Sequence, residues 1–559
     1  MRTPGSDRVS GWLGGALDKG GTSGGAKRGW ETRRGRAAVE PERGEGRSRR
    51  AEEDVEPSRV LSVEDIPDEV KALAAKIGEA GGRALLVGGY VRDIARGAGG
   101  EEKDFDIEVY GLDPDRLQAT LGEVGRVDAV GKSFGVLKMR LGDLDLDVSV
   151  PRRENKTGKG HRGFMVEPDP TMTITEAAKR RDFTFNTMAM DPQTGEVYDP
   201  FGGIADIEAG VIRATDPKTF VEDPLRVLRA AQFAARFGFD VDDATIELSR
   251  SMKDEMRELP YERVAVEWEK LLMRSDKPSI GLDVMERTGA LEALHPEMAA
   301  QRGVPQDPRW HPEGDVWTHV KMVADAAVEA AKQAPPESRR VVMYAALLHD
   351  ISKPETTETQ PDGSITSRGH EGEGGPKAER IAREQLGLPK DEAAKVRKLV
   401  EDHLAPKLLH KQRGEIKASA IKRLARRLAP ATIEELAAVS KADTWGRTTK
   451  EALERSSEHE DWLLAQAREH KVEAEPPKPV LQGRHLIAHG VKPGPAMGDL
   501  LRRVYEMQMD GKVNTLEEAL AAADVKQKSL AEGLGWRRIV SGSTRHAELR
   551  QRQDEQPPP

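Results

Sequence analysis

Apolar and polar positions divide the chain into a mixed α/β part and a longer helical part. From Ile66, IPDEVKALAAKIGEAGG repeats apolar residues at helical spacing and ends in glycines, which predicts an amphipathic helix. ALLVGG then predicts a short buried strand, YVRDIARG the start of a helix, and DFDIEVYG a second strand. VLKMRLGDLDLDVSV predicts two more strands, the second alternating apolar and acidic residues. From Ile174 onward the pattern predicts helices almost throughout.

The flanks and linkers suggest how these elements are grouped. Residues 1–58 are rich in Gly, Arg, Ser and Glu and have few large apolar residues, which predicts a disordered tail. A Pro- and charge-rich stretch, EAEPPKPVLQG at 473–483, predicts a linker. We therefore predict a tail (1–58), an α/β head (59–213), a helical neck (214–300), a second helical domain (301–472) and a C-terminal helical segment with a disordered end (473–559).

Composition excludes several classes of protein. A chain of 559 residues predicts several domains, and the absence of cysteine excludes disulfide scaffolds, thiolate nucleophiles and zinc sites built on sulfur. No apolar run reaches the length of a membrane span, and the N-terminus lacks the apolar core of a secretory signal, so we expect a cytoplasmic protein. The net charge is −9, yet basic clusters occur at 152–162, 179–181 and 413–427. They suit either RNA contact or a solvated surface.

Two acidic residues on the second predicted strand are the first candidate for chemistry. Asp104 and Asp106 are two positions apart, so both side chains would point to one face of a strand. Carboxylates held together suit Mg²⁺, which takes oxygen ligands and bridges to phosphates. Asp147, on the neighbouring strand, is placed to supply a third carboxylate. The alternative is an ordinary solvated strand face.

A glycine turn precedes this strand. In LLVGGYVRD, Gly88 and Gly89 lie between a strand and a helix, where the backbone could approach phosphates closely. Arg92 follows in the first turn of the helix and could clamp triphosphate oxygens. The alternative is a helix start in which Asp93 pairs with a nearby arginine.

These motifs carry a family resemblance. LLVGGYVRD and KDFDIEV, followed by KRRDFTFNTMAMDPQTGEVYDPFGG at 179–203 and VEDPLRVLRAAQFAARFGF at 221–239, resemble the class II tRNA nucleotidyltransferase and bacterial poly(A) polymerase family. The resemblance extends over roughly residues 80 to 525. It implies a polymerase-β-like α/β head followed by mainly α-helical neck and later domains, with Mg²⁺ held at the head by Asp104 and Asp106.

The resemblance also implies roles for residues of the nucleotide site. Arg181 would bind the nucleotide, and Asp182 and Asn186 match positions linked to ribose recognition. Asp223 and Arg226 match the pair that reads the incoming base. The nucleotide site predicted from the glycine turn and the resemblance comprises Gly88, Gly89, Arg92, Asp93, Arg181, Asp182, Asn186, Asp223, Arg226 and Arg229.

A second resemblance concerns HPEGDVWTH at 311–319, LLHDISK at 347–353, RGHEGEGG, EDHLAP and SKADTWGR. Their order is similar to that of the HD phosphohydrolase superfamily. It implies core metal ligands His319, His349, Asp350 and Asp443, with His370 and His403 as the extra ligands of two-metal members. Imidazole with carboxylate suits Mn²⁺, Ni²⁺, Fe²⁺ or Mg²⁺. The alternative is a set of isolated core or surface histidines.

Together the resemblances imply an enzyme that adds CCA to tRNA 3′ ends from CTP and ATP. Its HD domain would act as a 2′,3′-cyclic phosphodiesterase, 2′-nucleotidase and phosphatase. CC-adding enzymes, A-adding enzymes and poly(A) polymerases share the head motifs and remain alternatives. An alternative of another class is an inactive, RNA-binding head beside an active HD nucleotide phosphohydrolase.

Overall fold

The computed structural model describes residues 55–98, 104–131, 136–156 and 164–524, with backbone alone at 104, 129–131, 154–156 and 164–166. The predicted tail therefore lies outside the described residues up to 54. From residue 55 the chain already belongs to the head, because Ser58 N donates to Val197 O at 2.8 Å. The predicted disordered end beyond 524 also lies outside the described residues.

The head contains most of the strands. Those of the described chain are β1 (Arg59–Val60), β2 (Arg83–Val87), β3 (Asp104–Tyr110), β4 (Arg126–Gly131), β5 (Val136–Leu141), β6 (Leu144–Ser149), β7 (Arg152–Lys156), β8 (Phe164–Pro168), β9 (Ala189–Met190), β10 (Glu196–Tyr198), β11 (Val211–Ile212), β12 (Asp240–Val241), β13 (Thr357–Thr359) and β14 (Ile365–Ser367).

Eight of these strands form one mixed sheet in the order β1-β10-β9-β2-β3-β6-β5-β4. The pair β3–β6 is parallel and the other pairs are antiparallel. In the parallel register the Cα of Asp106 is opposite that of Asp147, and the Cα of Asp104 is opposite that of Asp145. The sheet therefore brings the predicted carboxylate positions of two strands side by side.

Helices cover the sheet and make up the rest of the chain. Those of the head are α1 (Asp68–Glu79), α2 (Gly89–Ala95), α3 (Pro114–Gly122), α4 (Ile174–Lys179) and α5 (Gly203–Ala209). Those of the neck are α6 (Pro217–Phe220), α7 (Leu225–Phe237), α8 (Asp243–Ser251), α9 (Lys253–Met256), α10 (Tyr261–Met273), α11 (Pro278–Thr288), α12 (Ala290–Leu294) and α13 (Pro296–Ala299).

The later helices belong to the second helical domain and the C-terminal segment. They are α14 (Val316–Ala330), α15 (Arg339–Leu348), α16 (Lys353–Thr356), α17 (His370–Glu384), α18 (Lys390–Asp402), α19 (Ala405–Lys411), α20 (Ala418–Leu428), α21 (Ile433–Trp445), α22 (Lys450–Leu453), α23 (Glu458–Glu469), α24 (Gly483–Ala488), α25 (Pro495–Met509) and α26 (Leu516–Ala522). No helix in the described ranges is long and apolar enough to cross a membrane.

The apolar stripes predicted from the sequence are the buried faces of these helices. In α1, Val70, Leu73 and Ile77 follow helical spacing and are fully buried in the core of the head. The neck and the second helical domain share one continuous apolar core. The C-terminal helices have a separate small core that includes Leu486 and Val504.

The expectation of helices from Ile174 onward misses several short strands. Strands β9 and β10 extend the head sheet, β11 pairs with β12, and β13 with β14 forms a hairpin. Each has only two or three residues, too few for alternation to be recognised in the sequence.

The basic cluster at 413–427 forms ion pairs within the chain. Arg423 pairs with Glu506 and Asp510, and Arg427 holds Asp402 through both oxygens. These two arginines are therefore paired within the chain, and RNA contact and a solvated surface both stay open for the cluster.

Candidate active sites

A tight turn joins β2 to the helix that carries Arg92. Gly88 has φ of +73°, a conformation that residues with a Cβ rarely adopt, and an added Cβ would lie 3.0 Å from Asp106 Oδ2. The turn therefore requires glycine both for its backbone and for the close approach of the carboxylate.

The carboxylates of the neighbouring strands line a cleft of about 650 Å³. Asp106 and Asp147 both line it, and Asp147 lies 3.3 Å from Lys138 Nζ. Asp145, which sequence reasoning missed although it stands two positions before Asp147, lines the same cleft. The side chain of Asp104 lies outside the described atoms, so its predicted role as a metal ligand stays a prediction.

Asp182 is the centre of a buried hydrogen-bond network. Its Oδ1 accepts from Phe183 N at 2.8 Å and from Asn186 Nδ2 at 2.9 Å, and its Oδ2 accepts from Arg229 Nε at 2.6 Å. Burial raises the pKa of Asp182, but Arg229, Asn186 and Arg226 together lower it by more, so the net pKa is below its usual value and the carboxylate stays ionised. Arg92 joins the network by donating to Asn186 Oδ1 at 3.1 Å.

Aromatic side chains of helix α7 in the neck pack against Arg92, a member of this network. The guanidinium of Arg92 lies over the rings of Phe233 and Phe237, 5.2 and 5.0 Å from their centroids. Asp93 is turned away from the cleft, because Arg92 and Arg96 hold its carboxylate. These contacts match the alternative given for Asp93 in the sequence analysis, that it pairs with a nearby arginine.

The side chains of the residues matched to base reading have different partners, although Arg226 N donates to Asp223 O at 3.0 Å. Asp223 forms an ion pair with Arg263 at 2.8 Å, while Arg226 donates to the carbonyls of Thr219 at 2.7 Å and Arg180 at 2.6 Å. Arg263 belongs to α10, forty positions beyond Asp223, and the sequence motifs did not single it out.

Glu108 is a third residue that sequence reasoning missed. It is almost fully buried and accepts from Arg180 at 3.0 Å and Arg181 at 3.3 Å. Burial raises the pKa of Glu108, but Arg181, Arg180 and the hydrogen bond from Tyr110 Oη together lower it by more and keep it charged. Glu108 follows Asp106 by two positions on β3, which is the one sequence signal that could have indicated it.

These residues surround one cleft of about 380 Å³, named here the arginine cleft. Nine of the ten residues predicted for the nucleotide site line it, all except Asp93. Its lining is Gly88, Gly89, Arg92, Asp106, Arg180, Arg181, Asp182, Asn186, Asp223, Leu225, Arg226, Arg229 and Arg263. Six arginines against three aspartates make it a cleft suited to a polyphosphate.

The structure also brings together the six residues of the predicted histidine–aspartate site, all of them buried. Ligand atoms of His319, His349 and Asp443 lie within 4.8 Å of one another. Those of Asp350, His370 and His403 form a second group with the same spacing. The alternative of isolated histidines does not describe this arrangement.

Hydrogen bonds fix the tautomers of three of these histidines. Nδ1 of His349, His370 and His403 lies 2.7–2.8 Å from a backbone carbonyl, which only accepts, so Nδ1 carries the proton. In a neutral ring Nε2 then presents a lone pair. Yet Nε2 of His370 lies 3.4 Å from Nε2 of His403, and Nε2 of His349 lies 3.3 Å from Nε2 of His319. A cation between each pair relieves the repulsion of these lone pairs.

The carboxylates of this site are equally suited to cations. Both oxygens of Asp350 are buried and neither accepts a hydrogen bond of normal geometry from the described residues, although Lys353 Nζ lies 2.6 Å from Oδ2. Asp443 contacts Lys407 at 2.8 Å and Arg447 at 2.7 Å. Burial raises the pKa of Asp443, but Arg447 and Lys407 lower it to well below its usual range. The donor set therefore fits divalent metal ions.

Two imidazoles of the site have pKa values shifted in opposite directions. Burial lowers the pKa of His403 to about 3, with His370 adding to the effect. Burial also lowers the pKa of His370, but Asp350 raises it by more.

Glu313 and His311 are residues of this site that sequence reasoning missed. Glu313 Oε1 lies 2.9 Å from Nδ1 of both His311 and His319. A carboxylate in this position orients the His319 ring so that Nε2 faces Asp443, 3.1 Å away. The signal was present in HPEGDVWTH, where His311 and Glu313 stand in the same motif as His319.

Comparison with protein-family models gives three matches in chain order. The poly(A) polymerase head domain matches residues 84–213, and the probable RNA and SrmB-binding site of polymerase A matches 238–302. The HD domain matches 316–444. These matches confirm the predicted fold class, a polymerase-β-like head followed by a helical neck and an HD domain.

Relatives and solved structures agree with these models. A multifunctional CCA protein of Xanthomonas campestris pv. campestris is 38% identical over 377 residues, which cover 66% of this chain and 86% of that protein. A structure of a CCA-adding enzyme with CTP matches with a TM-score of 0.56 at 21% identity, covering 83% of this chain and 97% of that one. The Thermotoga maritima CCA-adding enzyme, complexed with tRNA, matches with a TM-score of 0.51 at 22% identity, covering 83% and 98%. These structures share the fold, and on the sequence relationship the chain belongs to the multifunctional CCA protein family.

Proposed function

We propose that the head adds CCA to the 3′ ends of tRNA from CTP and ATP. The observation that carries the proposal is the arginine cleft, where the base-reading, ribose-reading and phosphate-binding positions meet Asp106. The names of the related proteins support the same activity. A cytoplasmic location suits a tRNA substrate.

Mg²⁺ is the metal we propose for the head, held by Asp106 and Asp147, with Asp104 at the neighbouring register position. When bound, it would lower the barrier by offsetting charge on the phosphate oxygens. Arg92 is held rigidly by Asp93 and by the rings of α7, so it can bind triphosphate oxygens without a large ordering cost.

In the proposed reaction the tRNA 3′-hydroxyl oxygen bonds to the α-phosphorus of the nucleotide. The bond between the α-phosphorus and the bridging oxygen breaks, and pyrophosphate leaves with that oxygen. The hydroxyl proton passes to solvent or to a carboxylate of the β3–β6 pair. For Asp182 and Asn186, which line the arginine cleft, we propose contacts with ribose hydroxyls that favour ribonucleotides.

Base selection is proposed for Asp223 and Arg226. A carboxylate accepts from the exocyclic amine that cytosine and adenine share, and a guanidinium donates to their acceptors. The Asp223–Arg263 ion pair holds the carboxylate at the cleft wall, and Arg226 must release backbone carbonyls to reach a base.

For the histidine–aspartate site we propose phosphoester hydrolysis, with 2′,3′-cyclic and 2′-phosphates as substrates. Mn²⁺, Ni²⁺, Fe²⁺ or Mg²⁺ would supply an activated water when bound. Lys407 and Arg447, beside Asp443, are placed to bind the phosphate oxygens of a substrate. For a cyclic phosphate, water oxygen bonds to phosphorus, one ribose oxygen leaves and takes a proton, and a phosphomonoester remains.

The test uses a tRNA transcript lacking CCA, incubated with Mg²⁺ and CTP, ATP or both. Two C with CTP alone and one further A with both nucleotides are expected, resolved on a sequencing gel. Asp106→Asn should abolish extension, whereas Asp143→Asn, an exposed carboxylate in the β5–β6 turn, should not. Addition that stops at CC, a single A on CC-ended tRNA, or long A tracts would identify the narrower alternatives. No extension with hydrolysis intact would refute the head assignment.

A further inference from the structure

A cleft of about 750 Å³ opens beside the histidine–aspartate site and is named here the tryptophan cleft. Its lining is Arg309, Trp310, Lys407, Leu408, His410, Lys411, Arg413, Thr444, Arg447, Thr449, Lys450, Glu451, Glu458 and His459. It is separate from the arginine cleft, with which it shares no lining residue.

Two cations connect this cleft to the metal-binding group. Lys407 Nζ and Arg447 Nη2 line the cleft and also contact opposite oxygens of Asp443, at 2.8 and 2.7 Å. On the other wall, Trp310 directly precedes His311, whose Nδ1 lies 2.9 Å from Glu313. One end of the cleft therefore lies next to the proposed hydrolytic centre, with Lys407 and Arg447 between the cleft and Asp443.

Trp310 presents an exposed ring on a fixed backbone. Its residue is 63% exposed, whereas Trp268 and Trp317 are 1% and 2% exposed. Trp310 N donates to Asp307 O at 3.0 Å, and Arg309 holds the Asp307 carboxylate through both of its oxygens. An indole exposed on an ordered turn contributes little burial to folding, but it offers a flat face on which a base can stack.

The charge of the cleft selects an anionic ligand. Six lysines and arginines line it against two glutamates. Lys411, the last residue of α19, and Arg413, two positions after it, are both exposed. They are separate from Lys407 and Arg447, which contact Asp443. A single phosphate needs only the inner cations, so the outer pair suits further phosphates of a chain.

From these observations we infer that the tryptophan cleft is the base-binding part of the proposed hydrolytic site, with Trp310 as its specificity-determining residue. The base stacks on Trp310 and the phosphate reaches Lys407 and Arg447 beside the metal-binding group. The inference rests on the proposed hydrolytic function. The nucleotide can be the terminal residue of an RNA or a free mononucleotide, and the outer cations distinguish the two.

The first experiment compares hydrolysis of adenosine 2′,3′-cyclic phosphate with that of glycerol 1,2-cyclic phosphate, which has no base. In the full chain with Mn²⁺ or Ni²⁺, Trp310→Ala should raise KM for the adenosine substrate about 5- to 150-fold and leave kcat unchanged, the range expected for loss of one stacked base. KM for the glycerol substrate should not change, and Trp310→Phe should restore most of the affinity. Ile487→Ala, an exposed apolar residue of α24 outside the cleft, is the control.

An equal effect on both substrates, or none on either, would overturn the inference. Lys411→Ala/Arg413→Ala separates the two sources of the ligand. A raised KM only for an RNA oligonucleotide ending in a 2′,3′-cyclic phosphate indicates an RNA end, and no change with either substrate indicates a mononucleotide.

A binding measurement separates failure of the inference from failure of the proposed function. Adenosine 2′-monophosphate should quench tryptophan fluorescence, and Trp310→Phe should remove part of that quenching. If Trp310→Phe loses quenching and the wild-type chain shows no hydrolysis, the hydrolytic function is refuted but the nucleotide-binding site is retained. Quenching unchanged in this variant would overturn the inference.

Discussion

Replacing Gly88 by alanine tests whether the glycine turn positions the metal-binding carboxylate. The residue has φ of +73°, and its new Cβ would lie 3.0 Å from Asp106 Oδ2. Two effects are therefore combined, backbone strain and a forced shift of Asp106. They can be separated because Gly97 has nearly the same φ, +74°, and a Cβ added there meets no described atom within 4 Å.

The expected magnitudes follow from this geometry. Each alanine should destabilise the fold by about 1–3 kcal/mol, since an L-residue is strained in this backbone region. At Gly88 the carboxylate must also move by a few tenths of an ångström, and a misplaced metal ligand should lower the extension rate by about tenfold or more. Gly97→Ala should therefore lose stability but keep its rate.

Urea unfolding gives the stability of both variants, and single-turnover CTP addition at saturating nucleotide gives the rate. The rate ratio between the variants, measured at a temperature where both are folded, isolates the effect of the displaced carboxylate. Rates that stay unchanged in both Gly88→Ala and Gly97→Ala would refute the reasoning. A rate lost equally in both would show instead that the loss comes from strain alone.

The remaining predictions concern buried charge, a buried histidine and metal. Glu108→Gln should destabilise the head by about 2–3 kcal/mol in urea unfolding, because Arg180 and Arg181 lose their shared counter-charge; an unchanged midpoint would contradict this. His295 Nε2 accepts a hydrogen bond from Trp268 Nε1, and burial lowers the pKa of His295 in the folded state to about 4. The unfolded state therefore takes up the proton first as the pH falls. The free energy of unfolding is unaffected above pH 6.5 and falls by about 3 kcal/mol as the pH drops toward 4. His295→Gln should flatten that part of the stability–pH curve, and an unchanged curve would contradict the assignment. Chelation of divalent ions should lower the melting temperature, because the facing imidazoles lose their cation; calorimetry with and without added Mn²⁺ measures the difference.

Local patterns in the sequence predicted the head well where they were strong. The glycine turn, the helix that carries Arg92 and the acidic strand all form as expected. The alternation in LDLDVSV predicted β6, but only the parallel register shows that Asp147 lies opposite Asp106. Pairing between distant strands is set by the whole sheet, so local sequence contains little information about it.

The residues that were missed are those whose partners are distant in sequence. Arg263 reaches Asp223 across forty positions, and Lys407 reaches Asp443 across thirty-six. Neither lies in a recognisable motif, because an ion pair between two helices depends on how those helices pack. The six residues predicted for the histidine–aspartate site could be picked out together because their residue types and order are distinctive. Glu313, which contacts His319, carries a weaker signal.

The contact between Arg229 of the neck and Asp182 of the head has a thermodynamic consequence. If a ribose binds the Asp182 carboxylate as proposed, it competes with the guanidinium and weakens one of the bonds between α7 and the head. Linkage is reciprocal: whatever loosens that bond must change ribose affinity by the same factor. A substitution in α7 that does not contact the nucleotide can therefore alter nucleotide affinity. The strength of the contact between α7 and the head can then change in evolution without any change in the catalytic residues.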